Sequence, residues 1–157
     1  MKNKFIGLVF ISLFIVACNQ NDVYLQYHTI SPDGWNKDSI CTFDIPITDI
    51  KATYNVYVNI RNRAEYPYQN LWLFLSKTSP DKQQISDTIE CYLADRQGKW
   101  LGNGVGSIFD MPVLYQENIH FNTAGTYRFK IVHGMRNDIL TGINDIGMRV
   151  EIVGSKK

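Results

Sequence analysis

The chain has 157 residues, and its 16 Lys and Arg stand against 15 Asp and Glu, for a formal net charge of +1. That balance gives no electrostatic case for binding nucleic acid or an anionic lipid surface. The length suits one domain, and an aromatic content of 13% with nine tyrosines suits β-structure and surface recognition.

The N-terminus comes first in the chain and carries the clearest signal. Lys2 and Lys4 precede an apolar run from Phe5 to Val16 that only Gly7 and Ser12 interrupt. As a helix this run would reach about 18 Å, too short for a hydrocarbon core of about 30 Å. Residues 1–17 therefore read as a removable signal peptide rather than a spanning helix. The run ends in Ile15-Val16-Ala17-Cys18, which resembles the lipobox of lipoprotein signal peptidase. Small Ala17 admits the peptidase, and the Cys18 thiol is the nucleophile that accepts diacylglycerol. With two or three acyl chains the anchor is durable, where one would be marginal. Cleavage leaves 140 residues and, with Lys2 and Lys4 gone, a net charge of −1. Cys18 is not followed by Asp, which favours the outer membrane and leaves the membrane face open. Residues 18–37 read as the lipidated cysteine, a polar tether and the start of the domain, and residues 38–157 as the domain.

Period-two alternation recurs along this mature chain. Cys41, Phe43 and Ile45 form one inward set before Pro46. In Tyr54 to Arg61, the set Tyr54, Val56, Val58 and Ile60 faces one way, while Asn55, Asn59 and Arg61 face the other. A slip of one residue would bury the polar set, so the register is firm. Leu71 to Leu75 is a nearly continuous apolar run, as expected of a central strand. Thr88 to Ala94 follows, and the turn Asp95-Arg96-Gln97-Gly98 leads into Lys99-Trp100-Leu101. Thr126 to Val132 alternates after Gly125, and Met148, Val150 and Ile152 share a face of a last strand. The best helical candidate is a single turn within Met135 to Ile143, between Gly134 and Gly142. About eight short strands separated by turns predict an all-β fold: one antiparallel β-sandwich, jelly-roll or immunoglobulin-like.

Cys41 and Cys91 remain after Cys18, in an envelope compartment that can be oxidising. A bridge would close a loop of about fifty residues and could contribute about 4 kcal/mol. Both fall on inward positions, and buried free thiols are the alternative. The tryptophan that accompanies inter-sheet disulfides in immunoglobulin-like domains is absent.

From Trp72 onward the sequence resembles the gliding-motility lipoprotein GldH family of the Bacteroidota. The matching segments are Trp72-Leu73-Phe74, Asp87-Thr88-Ile89-Glu90 and Leu93-Ala94-Asp95 with Gly98-Lys99-Trp100-Leu101-Gly102. Later come Gly125-Thr126-Tyr127, Gly134-Met135-Arg136 and Gly142-Ile143-Asn144-Asp145-Ile146-Gly147. The resemblance implies an envelope lipoprotein of surface gliding, a process tied to the type IX secretion machinery. It implies no catalytic activity and supplies a pathway rather than a mechanism.

The residues offer little chemistry of their own. His28, His120 and His133 have no ligand spacing, and Ser107 lacks the second glycine of a nucleophile elbow. The glycines from Gly102 to Gly106 lack the Lys-Ser or Lys-Thr end of a phosphate loop and fit a turn or bulge. Trp35 and Lys37 spoil an EF-hand reading of Asp33 to Asp38. No metal, cofactor or catalytic site is expected. Asp95 to Asp110 combines Lys99, Trp100, Phe109 and Asp110 with several glycines, and such residues on a loop suit protein or sugar recognition. Alternatively, Trp100 fills the core and the glycines make turns. Gly134-Met135-Arg136 beside Asp138 is a second candidate interaction edge, with a capping or buttressing role for Arg136 as the alternative. The expected function is a non-enzymatic accessory lipoprotein that binds another envelope protein of the gliding or type IX machinery. The alternative is a surface carbohydrate-binding module, with Trp35 or Trp100 stacked on sugar rings.

Overall fold

The structure is a computed structural model and describes residues 21–155. Residues 1–17, expected to be a signal peptide, and Cys18 lie outside the described residues. Eleven strands form the fold: β1 (Asp22–Thr29), β2 (Trp35–Asn36), β3 (Cys41–Ile47), β4 (Ala52–Arg63), β5 (Asn70–Thr78), β6 (Gln84–Tyr92), β7 (Asn103–Val105), β8 (Ile108–Ile119), β9 (Gly125–His133), β10 (Ile139–Leu140) and β11 (Ile143–Ser155). That is eleven rather than the expected eight or so: eight run seven residues or more, and the other three are short. β1 already lies within the stretch 18–37 assigned to the tether and the start of the domain.

One sheet has the order β1-β11-β4-β8-β7 and the other β3-β9-β5-β6. Every pairing is antiparallel. Counted in chain order, the eight long strands lie 1-8-3-6 in one sheet and 2-7-4-5 in the other. That order is a jelly roll and not an immunoglobulin arrangement. The short strands β2 and β10 pair with each other as a separate ribbon. Met135 to Ile143, read as a helical turn, instead contributes β10. Gly142, at φ +86°, turns the chain from β10 into β11.

The core is the layer between the sheets. Val56, Val58 and Ile60 from β4 and Ile146, Met148 and Val150 from β11 are buried there. Leu71, Leu73 and Leu75 from β5 and Phe129 and Ile131 from β9 are buried on the facing sheet. Each such side chain contributes roughly 1.5–3 kcal/mol by leaving water. Trp35 is buried with them, its indole N–H donating to the Ser39 carbonyl at 2.9 Å.

Cys41 and Cys91 are both buried and both free, which corrects the disulfide alternative. They lie on β3 and β6, the two edges of the same four-stranded sheet. Three strand spacings of about 4.8 Å separate those edges, far beyond the roughly 7 Å that a disulfide spans. Burial pushes the Cys41 thiol up to about 11 and the Cys91 thiol, beside Glu90, up to about 12.

His133 is also buried, and its Nε2–H donates to the Trp35 carbonyl at 3.0 Å while Nδ1 has no partner. Burial lowers its pKa below the ordinary 6.5, against the opposing effect of the Trp35 bond. The unfolded chain then binds the proton more readily than the folded one. Stability conferred by neutral His133 is present above pH 6.5 and lost as pH falls below it.

Three outcomes are expected. A maleimide should leave Cys41 and Cys91 unmodified in the native domain and modify both on denaturation, and native labelling would contradict their burial. Urea midpoints should fall as pH drops below 6.5, with a shallower fall in His133→Asn than in the parent. Gly142→Ala should destabilise by about 1–3 kcal/mol in urea titration, because its Cβ would meet Tyr66 Cα at 2.6 Å.

Candidate functional site: an aromatic groove on the four-stranded sheet

Alternation along β5 sends Leu71, Leu73 and Leu75 inward and Trp72 and Phe74 outward. β5 is central, between β9 and β6, yet its outer face is uncovered. Trp72 is 39% exposed and Phe74 49%. The expectation of a nearly continuous apolar central strand thus holds for its position, and the second apolar face is a surface.

The loop that follows β9 shapes this surface. Gly134 N–H donates to the Trp72 carbonyl at 2.7 Å. A Cβ on Gly134 would come within 3.0 Å of the Phe74 ring, so the bare backbone lets that ring lie over it. Met135 accepts the Trp72 N–H on its sulfur at 3.4 Å. On the other flank the Tyr68 hydroxyl donates to Asn137 Oδ1 at 2.8 Å. Together Tyr68, Trp72, Phe74, Met135 and Arg136 line a groove of about 430 Å³. Phe74 also borders a second hollow of about 300 Å³, toward Ile40, Val132 and Lys130.

The charges around the groove are unevenly occupied. Glu90 accepts from Asn70 Nδ2 at 2.6 Å and from the Tyr92 hydroxyl at 3.0 Å. Arg136 is exposed at the rim, and among the described residues it forms no ion pair. Rings, a thioether and one guanidinium suit an apolar or aromatic side chain next to an acceptor or a carboxylate.

The residues singled out from the sequence are not gathered in one loop. Lys99 lies in the exposed turn after β6, its backbone N–H donating to Asp95 Oδ1 at 2.8 Å. Trp100 packs partly buried against the core, its ring 5.9 Å from Phe109 and 6.3 Å from Tyr66. Asp110 accepts from Arg61 Nε at 3.0 Å and from the Tyr27 hydroxyl at 3.2 Å on the outer face of the five-stranded sheet. Gly106, at φ +71°, sits between β7 and β8, so the glycine-rich stretch makes a hairpin. Only the edge Gly134-Met135-Arg136 belongs to the groove. Trp35 is buried, which removes it as a sugar-stacking surface.

Trp72 and Phe74 are not among the candidate interaction residues of the sequence, whereas Met135 lies in the Gly134-Met135-Arg136 candidate edge. The available signal was aliphatic residues at 71, 73 and 75 alternating with rings at 72 and 74, hidden because both sets are hydrophobic.

Outside the groove, the histidines are engaged with the backbone. His28 and His120 each donate a ring N–H to a carbonyl, of Thr42 at 2.7 Å and of Ala52 at 2.9 Å. Among the described residues, no three His, Cys, Asp or Glu side chains gather as a metal-ligand set.

Over residues 22–150 the sequence matches the family described as GldH lipoprotein. It is 34% identical to a gliding motility lipoprotein GldH homolog of Christiangramia forsetii, covering 96% of this chain and 98% of the relative. It is 32% identical to the gliding motility lipoprotein GldH of Flavobacterium johnsoniae, covering 96% and 97%. Among solved structures, a chain of the infectious bursal disease virus Gx strain aligns with 83% of this chain and 30% of its own, at 12% identity and a TM-score of 0.37. That likeness is too distant to inform fold or function. The two full-length relatives and the family match agree: this chain belongs to the GldH lipoprotein family.

Proposed function

We propose that the chain is an outer-membrane lipoprotein, acylated on Cys18, that serves gliding motility and the linked type IX secretion machinery without chemistry of its own. It acts by holding another envelope protein in the groove formed by Trp72, Phe74 and Met135, with Arg136 pairing to an acidic group of that partner. The supporting observation is the convergence of two segments far apart in sequence. Trp72-Leu73-Phe74 and Gly134-Met135-Arg136 both carry the family resemblance, and they meet in this groove. A contiguous exposed aromatic patch with a free cation at its edge is typical of a protein-binding surface.

In a gliding host, a photocrosslinking residue at position 74 should capture a specific envelope protein, and Trp72→Ala should abolish the capture. A central interface tryptophan is worth about 2 kcal/mol or more, so Trp72→Ala should weaken binding by about 30-fold or more. Arg136→Glu should reduce colony spreading at unchanged lipoprotein level. Normal spreading and secretion in a clean deletion strain would sink this function. Trp72-dependent binding on a glycan array, with nothing captured in cells, would move the assignment to a sugar-binding lipoprotein.

A further inference from the structure

Covalent reach and strand direction together orient the domain. Ile152 N–H donates to the Asn21 carbonyl at 2.8 Å, so the sheet grips the chain three residues after Cys18. Three extended residues span at most about 11 Å. The headgroup layer beyond the hydrocarbon is itself about 5–8 Å deep on each side of a bilayer. Little length is left over for a stalk.

β1 starts at this tethered end and runs away from it. Antiparallel pairing then puts the end of β11, the start of β4 and the end of β8 at the same end. The connections at residues 48–51 and 120–124 bring the end of β3 and the start of β9 there. Pairing of β9 with β5, and of β5 with β6, adds the connection at residues 79–83. Trp72 is near the opposite end of β5, six residues before Thr78, and Gly134 to Asn137 follow the far end of β9. At about 3.3 Å per residue the groove stands roughly 20 Å beyond the tethered end.

We infer, on the premise of the acylated Cys18 proposed above, that the domain rests directly on its bilayer. The connections 48–51, 79–83 and 120–124 face the headgroups, and the aromatic groove points away. The surface at the tethered end fits this contact. Bulges in β1 and β11 each insert a valine there, Val23 and Val153, exposed at 43% and 49%. Ile50 is 46% exposed in the β3–β4 connection beside exposed Lys51. The carboxylates of these connections are turned to their own loops. Asp49 accepts the Lys51 N–H at 2.8 Å, and Asp81 accepts the Ser79 hydroxyl. Aliphatic side chains beside a lysine suit the headgroup boundary, where the stem lies along apolar surface and the ammonium stays in water.

The test uses the mature acylated lipoprotein added to preformed phosphatidylcholine vesicles. A polyethylene-glycol maleimide would report the access of Ile50→Cys and of Thr141→Cys, which lies at the far end. Each would be compared with a form carrying twenty Gly/Ser residues inserted after Gln20, a spacer of about 25 Å. With the native tether, Ile50→Cys should react about tenfold more slowly than Thr141→Cys, and the spacer should bring the two rates together. Equal rates with the native tether, on protein that floats with the vesicles, would overturn the contact and leave the anchor standing. Failure to float would remove the anchor on Cys18 and the contact with it.

Discussion

The dry layer between the two sheets is the constraint on which the rest of the molecule depends. Val56, Val58 and Ile60 on one side and Leu71, Leu73 and Leu75 on the other are each almost fully buried. Because strand side chains alternate, burying these residues dictates where their neighbours go. A slip of one position in β4 would drive Asn55, Asn59 and Arg61 into the core. The same layer that supplies most of the hydrophobic stabilisation therefore also dictates what each sheet presents outward.

The two outer faces use that freedom in opposite ways. On the five-stranded sheet the outward charges pair with one another, although Leu25 and Leu114 stay exposed beside them. The Arg61 guanidinium lies 3.8 Å over the Tyr27 ring and pairs with Asp110, and Arg149 lies 3.9 Å over Tyr57 and pairs with Asp22 and Glu151. These stacks roof over Asn55 and Asn59, which are buried although they point away from the core. Asn59 Nδ2 donates to the Tyr27 hydroxyl at 2.8 Å, and a Cβ on Gly147 would strike the Tyr27 ring at 2.6 Å. The four-stranded sheet instead leaves Trp72 and Phe74 in water, at a hydrophobic cost that the fold itself does not recover. One face is built mainly of its own ion pairs and stacks, and the other carries an open aromatic groove.

Jelly-roll connectivity then separates the open face's groove from the tether. The strands cross the full length of the sandwich, so each connection belongs to one end or the other. The start of β1 and the loops 48–51, 79–83 and 120–124 share one end, and the loop carrying Met135 and Arg136 belongs to the other. The groove and the start of β1 therefore stand at opposite ends of the sandwich.

The amino-acid sequence by itself determined the all-β class, the inward sets of β3, β4, β9 and β11, and the family, because each is written in local alternation or in short contiguous segments. It did not reveal that Leu71 to Leu75 has one open face, since leucine and tryptophan are equally apolar to a periodicity reading. It grouped Lys99, Trp100, Phe109 and Asp110 on a hairpin and following loop, with Trp100 either exposed or in the core; the structure packs Trp100 against the core and sends Asp110 to Arg61. It left Cys41 and Cys91 open to pairing, because inward-facing positions say nothing about which edge of a sheet each strand occupies. Those outcomes belong to the tertiary structure alone. Strand order, sheet membership and the meeting of residue 72 with residue 135 are long-range facts, decided only when the two sheets close over a common core.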